Sequence, residues 1–159
     1  MVNDIKTGSN QQEVEANRFA SSLLMPESMF RPMLAGSPVD FTLISSLARE
    51  FLVSKHACAN RILDFVKDAY VIITSQGHKI TTQKASLAAK VNFKNLHFIP
   101  QETAAYAAVA NGKNQTSFSE SDPAKWLVNA MDTTRLYECT RGSFSSSNNF
   151  SMCSEIVFG

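Results

Sequence analysis

The apolar residues of this chain change their period near residue 68, and that change limits what it can fold into. Before it, apolar positions recur at helical spacing in three stretches. After it, AYVIITSQGHKITT places a β-branched run, a Gln-Gly turn signal and another short run in order, which is the pattern of a hairpin. A helical first part and a strand-rich second part predict an α+β fold. It has an N-terminal helical segment with a helix-turn-helix-like pair, then a small mixed α/β C-terminal module. The boundaries expected are 1–68 and 69–159.

Capping chemistry sets the helix starts. Ser9 followed by Gln12 resembles a capping box, so a first helix is expected from near Asn10 to about Met25, where Pro26 stops it. PESMFRPMLAGSP reads as a turn-rich link with one short helical turn. Asp40 is a plausible N-cap for FTLISSLAREFL, and Ser54 for KHACANRILDFVKD. In the second part, NLHFIP reads as a strand and QETAAYAAVANGK as an Ala-rich helix closed by Asn-Gly. SESDPAKWLV offers an N-cap with Pro near the first helical position. RLYECTRGSFSSSNNFSMCSEIVFG reads as two strands around a Ser/Asn-rich loop. Tyr70, Phe93, Phe98, Tyr106 and Trp126 are the expected core of this part.

Charge and cysteine content narrow the function classes. A net charge of +1 gives no global pull toward nucleic acid or anionic membrane. No run approaches the roughly 20 apolar residues that span a bilayer, and the polar start MVNDIKTGSN lacks the apolar stretch of a secretory signal. Cys58, Cys139 and Cys153 are an odd, widely spaced set without CxxC. They argue against a zinc knuckle or a disulfide framework and fit reduced thiols in the cytoplasm. A pairing of Cys139 with Cys153 across the last hairpin stays open at this point. No Gly-rich phosphate loop or nucleophile elbow stands out.

SNQQEVEANRFASSLLMP carries two glutamates with different surroundings. At 100° per residue, Ala16, Phe19, Ala20, Leu23 and Leu24 gather on one side, which is expected to be buried. Glu13 and Asn17, four apart, stack at the border of that side. Glu15, Arg18 and Ser22 fall opposite, toward water. Glu13 has two readings: an acid favoured by the helix dipole at a first turn, or a carboxylate leaning over a pocket.

The order E-x-x-A-N-x-F-A, then L-L-M-P, resembles the third-ligand helix of the ImmA/IrrE family of zinc metallopeptidases. FLVSKHACANRIL resembles the family's next segment, with Ile62 where Leu is frequent, so the resemblance spans about residues 9 to 68. It implies that Glu13 is a zinc ligand and that Asn17 supports it. It also implies that complete members cut helix-turn-helix repressors, often in stress responses or mobile elements. The departure is large. No H-E-x-x-H occurs, and His56, His78 and His97 are far apart in sequence. A catalytic zinc needs about three protein ligands and a base for its water. Only twelve residues precede Glu13, so the chain is expected to be the C-terminal part of a longer peptidase, inactive alone and without zinc of its own.

SLAREFLVSKHACANRIL has helix-turn-helix spacing, with Leu52 where the turn glycine is usual. Lys55, His56, Asn60 and Arg61 are the candidate contacts to DNA or a partner. The charge stripe is thin, so weak DNA binding at most is expected, and structural packing of the pair is preferred. Two functions follow: a truncated repressor-directed peptidase-family protein, or a non-catalytic regulator that binds a transcription factor or DNA. The apolar side of the first helix would lack its usual cover, so self-association is expected as well.

Overall fold

The computed structural model describes residues 5–90, 92–112, 115–144 and 152–158. Four helices come first: α1 (Ile5–Leu24), α2 (Glu27–Leu34), α3 (Phe41–Glu50) and α4 (Lys55–Leu63). The hairpin β1 (Val71–Gln76) and β2 (Lys79–Ala85) follows. Next come α5 (Ala104–Asn111), β3 (Gln115–Ser121), α6 (Pro123–Trp126), β4 (Leu136–Phe144) and β5 (Met152–Phe158). The α+β class is as the sequence implies.

Local chemistry explains the boundaries. The Asp40 carboxylate accepts from the Leu43 N–H at 2.8 Å and starts α3. Ser54 Oγ accepts from the Ala57 N–H at 3.1 Å and starts α4. Thr103 and Asp122 cap α5 and α6 in the same way. Gly112, at φ 63, ends α5 in the left-handed conformation that a side chain would strain. Two elements are longer than the sequence signals: α1 begins at Ile5, and the link after Pro26 holds the eight-residue α2. β3 carried no strand signal, because QTSFSES is Ser-rich and polar. NLHFIP forms no named strand. It runs beside β2 through Ile80 N–H to His97 O and Ile99 N–H to His78 O, both 2.9 Å.

The five strands form one antiparallel sheet in the order β2-β1-β5-β4-β3. Alternation divides its side chains between two cores. Ile72 and Cys139 face the helices and join Met25, Phe30, Ile44, Leu47 and Ile62. Val71, Ile73 and Leu136 face the other way and join Ile99, Ala105, Val109 and Trp126. Each fully buried Phe, Leu or Ile contributes about 1.5–3 kcal/mol. Phe93 and Trp126 are core residues, as expected, but Phe98 is exposed because it sits on the outer segment beside β2. The β4–β5 register sets Cys139 against Val157 and Cys153 against Ser143.

The first helix departs most from the sequence reading. Phe19 and Leu23 are 72% and 68% exposed, and Val14 and Leu24 are exposed too. At 1.5 Å per residue α1 is about 30 Å long, and it is anchored at its C-terminal end, where Met25 enters the helical core. The stripe expected to be buried is therefore open to water.

Candidate functional site

The structure brings several of the candidate residues into one open groove of about 1250 Å³. One wall is the second half of α1, with Asn17, Arg18 and Leu24. A second is α4, with His56, Asn60 and Arg61. The third is the end of β2 and the segment after it, with Gln83, Lys84, Leu87 and Lys90. Glu13 lies one turn before Asn17 on α1, exposed and outside the lining. Lys55 is half-buried at the start of α4, also outside it. Glu15 stays on the solvent side, where Gln11 Nε2 donates to it at 3.4 Å.

Arg61 is already engaged. It is buried, and its Nε and Nη2 donate to the Met25 carbonyl at 3.3 and 3.2 Å. Its Nη1 meets Asp64 at 3.2 Å, and its guanidinium lies 4.5 Å from the Phe65 ring centroid. A cation at the carbonyl end of α1 also complements that helix's dipole. Arg61 therefore fastens α1 to α4 and forms the groove floor.

Two side-chain oxygens of lining residues, Asn60 Oδ1 and Gln83 Oε1, are closed to solvent and have no hydrogen-bond partner. Gln83 Nε2 donates to the Lys94 carbonyl at 2.7 Å, which holds that amide in place. Around them the charge is one-sided. Arg18, Lys84 and Lys90 are exposed on the groove, while its Asp64 is paired with Arg61.

A zinc site is not assembled here. Among the described residues, no three His, Cys, Asp or Glu side chains gather to hold a metal ion. His78 stacks on Tyr106 with ring centroids 4.0 Å apart, and its Nε2 lies 3.3 Å from the Tyr106 carbonyl. A lone exposed carboxylate does not fit the three-ligand requirement, and no hydrolytic step is derived from these residues.

Sequence reasoning missed Gln83, Lys84 and Lys90, which reach the groove only through the path of the hairpin. It also missed Glu138, which is fully buried in β4. Its Oε1 accepts from the N–H groups of Ala104 and Ala105 at 2.7 and 3.2 Å, at the start of α5. Trp126 Nε1 donates to Ser121 Oγ at 3.1 Å, beside Glu138. Burial pushes the Glu138 pKa up, more than the bonds from Ala105, Ala104 and Ser121 pull it down. The signal was present in LYECT: Leu136, Glu138 and Thr140 share one face of a strand whose first residue is apolar. Burial also pushes the Cys58 thiol up to about 11, so it is an inert core residue.

Among the described residues, no helix is long and apolar enough to cross a membrane. No curated protein matches the chain. A solved structure, a Mycobacterium tuberculosis transcriptional regulator, resembles it with a TM-score of 0.48 and 12% identity. That alignment covers 90% of this chain, which spans 42% of the regulator chain's length. Residues 3–63, which hold α1 to α4, match the family model for the IrrE N-terminal-like domain. The model that this helical part of the chain matches is that of Peptidase_M78, the same family that the stretch from Glu13 to LLMP resembles.

Proposed function

We propose that this chain is a repressor-engaging protein of the ImmA/IrrE type that binds a helix-turn-helix repressor-type partner without cutting it unaided. The family match over residues 3–63 carries this reading. In it, Glu13 is one ligand of a zinc site whose other ligands and base come with an H-E-x-x-H segment, and Asn17, one turn along α1, supports that glutamate. The division at residue 68 is then one of role, because Ile72 and Cys139 share the helical core. Purified chain supplied with zinc is expected to leave a helix-turn-helix repressor intact over hours while retaining it in a pull-down. Zinc-dependent cleavage that disappears with Glu13→Ala would overturn the reading.

A second reading has its own observation. α3 and α4 are joined by a tight turn in which Leu52 takes φ 54, the helix-turn-helix position usually held by glycine. DNA contact through α4 would use Lys55, His56 and Asn60, since Arg61 is buried. A gel shift that weakens with salt and is lost on Lys55→Glu with His56→Glu would favour this regulator over the first reading.

A further inference from the structure

The outer side of α1 carries a seam that no described residue covers. Gln12, Ala16, Phe19 and Leu23 follow one another in steps of four, three and four. That spacing keeps side chains on one side of a helix, where a second helix can pack. All four are exposed, and none lines the groove, so the seam lies on the other side of α1 from α4 and β2. Residues 11–20 are exposed throughout, which leaves this stretch without packing of its own. A helix of that length without tertiary cover is marginal in water.

The residues of the seam fit a second copy of themselves. Two α1 helices laid antiparallel, about a twofold axis between positions 17 and 18, set Phe19 of each copy over Ala16 of the other and Gln12 over Leu23. Large against small is the arrangement that interdigitates. The flanks agree. Glu13 and Glu15 border the seam on its two sides, both exposed and neither in an ion pair with a described residue. In the antiparallel pair Glu13 comes beside Ala20 of the second copy and Glu15 beside Ser22, so no acid meets an acid. A parallel pair sets Phe19 on Phe19 and Ala16 on Ala16, a clash next to a gap. The two carboxylates also repel the phosphates of a nucleic acid. We propose that this chain forms an antiparallel homodimer through the outer seam of α1, with Phe19 of each copy seated on Ala16 of the other. The contact runs about 18 Å along one helix, below the size of a standard interface, so the dimer is weak and concentration-dependent. It goes beyond the repressor-engaging reading and depends on neither zinc nor a repressor.

Sedimentation equilibrium of the purified chain over a range of concentrations is expected to show a reversible monomer–dimer equilibrium. Phe19→Ser with Leu23→Ser, both at exposed positions, is expected to weaken the dimer about tenfold or more while the circular dichroism stays unchanged. Ala16→Leu separates a fitted seam from a merely sticky one. It adds apolar surface but fills the seat of Phe19, so it is expected to weaken the dimer about tenfold. Cross-linking reads the direction of the helices. A mixture of Glu13→Cys chains and Ala20→Cys chains is expected to form disulfide-linked pairs on mild oxidation. A mixture of Glu15→Cys and Ala20→Cys chains, neighbours only in a parallel pair, is expected to form none beyond the wild-type level. A chain that stays monomeric at the highest concentration reached overturns the proposal. So does a dimer that survives Phe19→Ser with Leu23→Ser, one that Ala16→Leu tightens, or one cross-linked by the parallel mixture instead. Retention or cleavage of a repressor bears only on the preceding reading, so the two fail separately.

Discussion

Arg61 and Glu138 are both buried charges, and each faces the end of a helix, one in each half of the molecule. Arg61 donates to the carbonyl of Met25, just past the C-terminal end of α1. Glu138 accepts from the first N–H groups of α5. Each thus satisfies backbone groups that a helix end leaves unpaired and complements the sign of the dipole there. The helices they hold differ. α5 lies on the sheet with Ala105, Ala108 and Val109 buried, so Glu138 adds to an existing interface. α1 leaves Phe19 and Leu23 in water and depends on its last turn. The same device is part of a packed core in one half and a hinge pin in the other.

The comparison breaks most visibly at Glu138. Glu138→Ala strands the N–H groups of Ala104 and Ala105 and opens a void beside Ser121. A loss of about 3 kcal/mol is expected, read as a lower urea midpoint for the whole chain. Arg61→Met is expected to cost less, about 2 kcal/mol, because Met refills part of the volume against Phe65. Its effect should be local: amide exchange along α1 speeds up while α5 keeps its protection. If both variants unfold the chain globally to the same extent, α1 is not held by a single pin and the contrast is wrong.

A pH titration sharpens the same contrast. Burial raises the Glu138 pKa in the folded state above its unfolded value, so the folded chain holds that proton more tightly. Stability from this group is fully present below the ordinary carboxylate pKa. It declines as pH rises through the raised value and is flat above it. Glu138→Gln keeps an acceptor for the α5 N–H groups and removes the titration. The difference in stability between wild type and this variant should therefore change in that window and nowhere else. A difference that stays constant across mildly acidic pH would place the proton elsewhere.

How much of this was legible beforehand follows from the range of each interaction. The caps at Asp40 and Ser54, the Gln-Gly hairpin and the Pro123 helix start are local, encoded within about four residues, and they read directly. The family segment read as well, because Glu13, Asn17 and LLMP lie close together in the sequence, on α1 and just past its end. The exposure of Phe19 and Leu23 did not read. A helical wheel shows which residues share a side but says nothing of what lies opposite it. The groove was half legible: Asn17, His56 and Asn60 were singled out for different reasons, and only the fold places them together. Lys84 and Lys90 come from another element and leave no local mark. β3 was missed because its Ser-rich sequence takes strand geometry from its partner β4 rather than from propensity.

The smallest expected effect tests whether the α3–α4 turn is a settled structural corner or a strained one. Leu52 is 91% exposed at φ 54 and packs against little, so its side chain offers no compensation for a left-handed backbone. That conformation costs a non-glycine residue about 1–2 kcal/mol, while glycine there loses more backbone entropy on folding, about 0.5–1 kcal/mol. Leu52→Gly should then stabilise the chain by a few tenths to about 1 kcal/mol, seen as a small rise in urea midpoint with an unchanged slope. If the variant is instead less stable by a similar amount, Leu52 contributes through a contact that the folded chain makes elsewhere, and an exposed leucine at a helix-turn-helix corner becomes the natural place to look for it.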